Sequence, residues 1–161
     1  MLYVECNPDK IFLKALLESS EFLKPIRHEY GKGKICNRLK KEGNSIALID
    51  EDPQSPQPKY LKNLEPLELD KLKELNIKCF YDKCLGNLII MLSPRLEEWI
   101  LKILKEININ IRKYNLPNDA NNLHKAINTN LNNFEKLIDD LKKTKKFKEI
   151  KNLIEKCIKI R

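Results

Sequence analysis

Residues 45–52 read Ser45-Ile46-Ala47-Leu48-Ile49-Asp50-Glu51-Asp52. A short apolar run that passes directly into three acids reads as a buried strand with a charged C-terminal end. Working outward, the same texture recurs on both sides. Leu2-Tyr3-Val4 is a short strand ending at Glu5-Cys6-Asn7-Pro8, and Pro8 is sterically welcome at a helix start. Ile11, Leu13, Ala15, Leu16 and Leu17 then make an apolar helix, and residues 25–30 return as a second strand. Gly31-Lys32-Gly33-Lys34 reads as a tight, flexible turn. A helix through Ile35, Arg38 and Leu39 follows and is stopped by Gly43-Asn44.

Downstream, Pro53, Pro56, Pro58 and Pro66 predict a loop without regular structure. Residues 67–75 predict a helix, Ile77-Lys78-Cys79-Phe80-Tyr81 a strand, and Leu88-Ile89-Ile90-Met91-Leu92 another buried strand after the Gly86-Asn87 turn. Strands alternating with helices predict an α/β fold whose sheet is mostly parallel and flanked by helices.

From Ser93 the period becomes helical. Leu96, Trp99, Ile100, Ile103, Leu104, Ile107 and Ile111 recur at steps of three and four. Leu116-Pro117-Asn118-Asp119 breaks this helix and caps the next, which runs through Leu123, Ile127, Leu131, Phe134, Ile138 and Leu141. Phe147, Ile150, Leu153, Ile154 and Cys157 mark a last helix. The 161 residues therefore divide into an α/β domain, 1–94, and a C-terminal α-helical extension, 95–161, packed on or beside it.

Charge follows that division. Of the net +8, residues 1–94 carry +1 and residues 95–161 carry +7. A basic region attracts phosphate backbones, so nucleic acid (DNA or RNA) is the expected partner; a protein partner docking on the helices is the other use. A solvated, Lys-rich helical face accounts for the same charge without any partner. The longest apolar run, residues 88–92, is far too short to span a membrane, and the N-terminus lacks a leader pattern, so a cytoplasmic location is expected. The five cysteines, irregularly spaced and without CxxC, read as reduced thiols rather than a zinc site or disulfide framework.

The acids carry the chemistry. Glu5 lies at the end of the first strand, and Asp50 and Asp52 at the end of the third. In open parallel sheets, sites form in the crevice beyond those ends. Carboxylates gathered there repel each other unless a proton or cation intervenes, and Mg²⁺ suits oxygen ligands. On an extended segment Asp50 and Asp52 point the same way and Glu51 away. A plain acidic turn is the other reading. Glu97 or Glu98, opening the helix after Leu92, adds either a further ligand or ordinary first-turn acids. His28 and His124 read as satisfied or surface residues, and Trp99 as core.

Three of these segments, taken in order, resemble a known family. Val4-Glu5-x-x-x-Asp9, then Gly31-Lys32-Gly33, then Ile46-Ala47-Leu48-Ile49-Asp50-Glu51-Asp52 is similar to the toprim domain of topoisomerases, bacterial primases and certain nucleases. The likeness covers about residues 2–52. Leu96-Glu97-Glu98 resembles the extra acid of the overcoming-lysogenization-defect-type nuclease branch. There is no Walker motif, so the likeness is to a toprim domain without an ATPase domain. Cys6 stands where the family usually has Gly.

The resemblance implies a toprim-like sheet and Mg²⁺- or Mn²⁺-dependent cleavage or transfer at a nucleic-acid phosphodiester. Glu5 would act as general acid or base, Asp50, Asp52 and Glu97 as metal ligands, and Lys32 and Lys34 as phosphate contacts. A non-catalytic toprim-like module binding nucleic acid or a protein is the alternative. A phosphohydrolase for a small substrate is a third.

Overall fold

Each of the apolar runs read above as a strand pairs into one sheet. The computed structural model describes residues 1–18 and 20–160. The chain runs β1 (Leu2–Val4), α1 (Asn7–Leu17), β2 (Ile26–His28), α2 (Lys32–Leu39), β3 (Ile46–Asp50), α3 (Lys59–Lys62), β4 (Glu65–Pro66), α4 (Asp70–Glu74), β5 (Ile77–Asp82) and β6 (Asn87–Leu92). It continues as α5 (Leu96–Glu106), a 3-10 turn (Ile111–Tyr114), α6 (Ala120–Thr129), α7 (Leu131–Leu141) and α8 (Lys145–Ile160). The sheet order is β2-β1-β3-β6-β5-β4. The first four strands in that order are parallel, and β5 and β4 join antiparallel. The fold is α/β, with a mixed, mostly parallel sheet flanked by helices.

The alternation of side chains along the strands sorts the core into two layers. Leu2, Val4, Ile46, Leu48, Leu88, Ile90 and Leu92 join Phe12, Trp99, Ile103, Phe134 and Phe147 under α1 and the C-terminal helices. Tyr3, Ala47, Ile49, Ile89 and Met91 face Ile35 and Leu39 of α2 and Tyr60 and Leu61 of α3. Phe12 sits edge-on to Trp99 (5.1 Å) and to Phe147 (6.2 Å), so α1 joins the sheet to both ends of the helical region. Edge-on aromatic pairs contribute about 0.5–1.5 kcal/mol beyond simple burial.

Several elements depart from the sequence reading. Gly31-Lys32-Gly33-Lys34 is not a free turn. Gly31 takes φ 96° as the cap of α2, whose first residue is Lys32. The proline-rich stretch is not wholly irregular either. Tyr60 and Leu61 bury an apolar turn of helix against the sheet, and Pro66 lies in the edge strand, where a missing N–H is tolerated. Tyr60 Oη donates to Asp82 (2.7 Å) and accepts from Asn87 Nδ2 (3.1 Å), while Asn87 Oδ1 accepts from Ser45 N (3.0 Å). This buried polar network fastens the stretch to β3 and β6. The helix foreseen over residues 67–75 shrinks to α4.

The helical region is also more divided than its periodicity suggests. α5 ends at Glu106, just before Asn108 with φ 56°. A break at Asn130 separates α6 from α7. Among the described residues no helix is long and apolar enough to cross a membrane.

Candidate functional site

β1 lies between β2 and β3, so the chain reverses its direction of travel across the sheet beside β1. The C-terminal ends of β1 and β3 therefore flank the switch point where α/β sheets open a crevice. A cleft of about 420 Å³ lies there, and Glu5, Gly31, Lys32, Asp50, Asp52 and His124 are among its lining residues.

Glu5 follows β1 and is anchored by backbone: its Oε1 accepts from Asp50 N at 2.9 Å. Burial pushes the Glu5 carboxyl above its usual range, and the Asp50 N–H and the nearby Lys32 charge pull it back. Asp50 continues the even-numbered face of β3, the face covered by α1 and α5. Its Oδ1 accepts from Leu96 N at 2.9 Å, so it caps the start of α5. Burial first, then the charges of Asp9, Glu97 and Glu5, push the Asp50 carboxyl up to about 9.

Two further acids complete this cluster. Asp9, 2% exposed, accepts from Cys6 N at 3.0 Å in the first turn of α1. Burial and the Glu5 and Glu97 charges push it up as well. Glu97, 3% exposed, sits in the first turn of α5. Its Oε1 lies 2.7 Å from His124 Nδ1, and its Oε2 is buried without a hydrogen-bond partner. So the structure groups Asp50 with Asp9, Glu97 and Glu5.

Asp52 lines the same cleft, and its charge adds to the upward push on Glu5. The strand ends at Asp50, and Asp52 has φ 41°, so the two side chains no longer follow the two-residue alternation of a strand. The Asp52 carboxylate instead accepts from Ser55 Oγ. Glu51 turns away, as foreseen, onto Lys78 and Ser93. Glu98 pairs with Arg95 across one helical turn.

The two lysines part company. Lys32 is buried, and its Nζ donates to the backbone carbonyls of Asp50 (3.3 Å) and Glu51. It straps α2 to the end of β3, although its charge remains beside Glu5. Lys34 lies over the ring of Tyr30, 5.5 Å from its centroid, and is not among the cleft residues. Burial raises the Cys6 thiol far above its usual range, which makes it a poor nucleophile at neutral pH. Cys79 is buried and Cys84 exposed, and all five cysteines are free thiols.

Among the described residues, no three His, Cys, Asp or Glu side chains converge as a group able to hold a metal ion. The donors are nevertheless the hard oxygens that Mg²⁺ prefers, and Mg²⁺ characteristically takes only one or two carboxylates with waters and phosphate oxygens. Glu97 is not among the residues that line the cleft, but its charge is felt by both Asp50 and Asp9, and its buried, unpartnered Oε2 makes it, with Asp50, a pair of donors that fits such a two-carboxylate site.

His124 and Arg95 are site-lining residues that the sequence does not reveal. His124 is a half-exposed, satisfied histidine, as its sequence context suggests, and it also lines the cleft and meets Glu97. They are 27 positions apart, with no local spacing to link them. Arg95 lines the cleft too, and its Nη2 reaches Asn121 Oδ1 (3.3 Å) at the start of α6. Thus α6 of the C-terminal region forms one wall of the cleft. Comparison of the chain with protein-family models, with curated proteins and with solved structures gives no match.

Proposed function

We propose that this chain is a toprim-like, Mg²⁺-dependent enzyme that cleaves or transfers phosphodiesters in nucleic acid. The observation that carries this reading is the buried carboxylate cluster at the switch point, with Glu97 Oε2 left unpartnered inside it. Asp50 and Glu97 would hold the ion, which supplies neutralisation of charge developing on the phosphate. Asp52 lines the cleft with Asp50, where phosphate oxygens and their waters would meet it.

Glu5 is the acid–base group of this reading. It is held by the Asp50 N–H, and burial favours its protonated form. A carboxyl that keeps its proton nearer neutral pH is suited to protonating a leaving oxygen. Lys32 acts from within: it holds the end of β3 in place and places a positive charge beside Glu5. The basic helical region supplies sequence-independent attraction for the rest of a polynucleotide.

One observation favours a second reading. The carboxylates do not form a preassembled three-ligand group, and Lys32 is spent on backbone carbonyls. A non-catalytic toprim-like module that binds nucleic acid would need neither. A divalent-metal cleavage assay on DNA and RNA separates the two. Cleavage by the wild type and none by Asp50→Ala is expected. Equal cleavage by both would sink the metal assignment, and salt-sensitive binding without cleavage would select the module.

A further inference from the structure

A buried carboxylate oxygen normally finds a hydrogen-bond donor, because leaving it without one costs about 1–3 kcal/mol or more. Glu97 keeps one oxygen satisfied and one not. Oε1 faces His124 Nδ1 at 2.7 Å, while Oε2 has no partner, in a residue 3% exposed. With Glu97 as a carboxylate, which can only accept, Nδ1 carries the shared proton. The His124 side chain itself is 54% exposed and lines the cleft.

The burial of the two partners is therefore lopsided. A half-exposed histidine gains little from this bond as a core element. A buried glutamate, within electrostatic reach of the Asp9 and Asp50 carboxyls, gains a fixed rotamer. The bond also fixes which oxygen is left over. A carboxylate held through one oxygen by an imidazole N–H presents the other in a defined direction, the arrangement by which outer-shell partners orient metal ligands.

We infer that His124 is a positioning residue, contributed by the C-terminal helical region, that holds Glu97 so that its Oε2 is presented to a divalent cation beside Asp50. This rests on the metal reading above, and it makes the helical region part of the site rather than only a basic surface. Arg95, whose guanidinium joins Glu98 of α5 to Asn121 of α6, braces the same pair of helix starts. The inference gives α6 a duty that its amphipathic pattern alone does not: its N-terminal half must stay docked on the first turn of α5.

The test is Mn²⁺ binding, followed by the loss of the free-ion paramagnetic signal, on the full chain with no nucleic acid present. Wild type, Asp50→Ala, His124→Ala, His124→Asn, Glu97→Gln and the double variant Glu97→Gln/His124→Ala are compared. Asn offers an amide N–H close to the place of Nδ1. His124→Ala is expected to weaken Mn²⁺ binding by about tenfold to a hundredfold, the usual effect of losing an outer-shell partner. His124→Asn is expected to recover most of that loss. The double variant should bind no more weakly than Glu97→Gln alone, because the histidine acts through the glutamate. Melting curves in chelator should be alike for the wild type and the His124 variants; if His124→Ala fails to fold, His124→Asn against Glu97→Gln carries the comparison. Wild-type affinity in His124→Ala, with binding lost in Asp50→Ala, would overturn the inference and leave the metal reading standing. No binding by the wild type would overturn both.

Discussion

Replacing Asp50 by Asn keeps a side-chain oxygen for the Leu96 N–H but removes a charge from a crowded, buried place. In the folded chain this carboxyl is raised to about 9, against about 3.9 in an unfolded chain. Between those values the folded state holds a proton that the unfolded state has lost. Stability from this group is thus full below the unfolded value and is lost as pH rises through the window, levelling above the folded value. Asp9 and Glu5, also raised, add in the same direction. In chelator, the unfolding free energy is expected to fall from pH 5 to pH 9, with a slope on the order of 1 kcal/mol per pH unit at its steepest, and the melting temperature to fall with it. Asp50→Asn should flatten most of that fall and melt higher than wild type at pH 8. Parallel pH profiles for the two proteins, measured by calorimetry, would refute the assignment of the shift to Asp50. The same variant is expected to abolish cleavage, so stability and activity should move in opposite directions.

At the scale of elements, two glycines make opposite forecasts. A Cβ on Gly33, in the first turn of α2, meets nothing within 4 Å. Gly33→Ala should therefore stabilise the helix by about 0.5–1 kcal/mol, since alanine loses less freedom on folding. Gly33 also lines the cleft, so under the proposed function its open space would let a phosphate approach the backbone. Gly33→Ala should melt higher yet bind a short oligonucleotide more weakly; unchanged affinity would remove this turn from the site. A Cβ on Gly43 would lie 2.8 Å from the Leu85 carbonyl oxygen, which also accepts the Asn44 N–H at 2.8 Å. Backbone on both sides cannot give way, and Gly43→Ala should cost about 1–3 kcal/mol in urea unfolding.

Gly31, Gly33 and Gly43 also show what the sequence made legible. The strands at residues 2–4, 46–50 and 88–92 announce themselves because short apolar runs with punctuated ends have few other uses. Gly31-Lys32-Gly33 did not, because two glycines signal a turn, whereas one φ of 96° followed by a helix needs only the first. Asp50 and Glu5 are readable at strand ends, Glu97 at the start of its helix, and Asp9 within the motif that begins at Val4. Their gathering with His124 around one point is not, because the register that brings them together is set by which face of β3 the helices cover. No local spacing carries that information.

For the whole molecule, the boundary drawn at residue 94 is a boundary of charge and texture, and the core crosses it. Leu2, Val4, Ile46 and Leu88 share one buried layer with Trp99, Ile100, Phe134 and Phe147. Phe12 touches the rings of both Trp99 and Phe147. Lys142 pairs with Glu18, and Lys146 with Glu106, around the rim of that layer. A fragment comprising residues 1–94 would keep only α1 and α4 over one face of the sheet and expose the rest of it, with several side chains each losing about 1.5–3 kcal/mol of burial. A total stability of only about 5–15 kcal/mol cannot absorb that loss. The full chain is therefore expected to unfold in a single transition, with equal calorimetric and van't Hoff enthalpies, and the 1–94 fragment to show no cooperative transition. Phe12→Ala, at about 3–5 kcal/mol, should lower that one transition rather than split it. Two resolved transitions, or a cooperatively folded 1–94 fragment, would mean that the helices are an appendage. In that case the wall of the cleft built by α5 and α6 could open independently, and the dependence of the acid cluster on His124 would be lost with it.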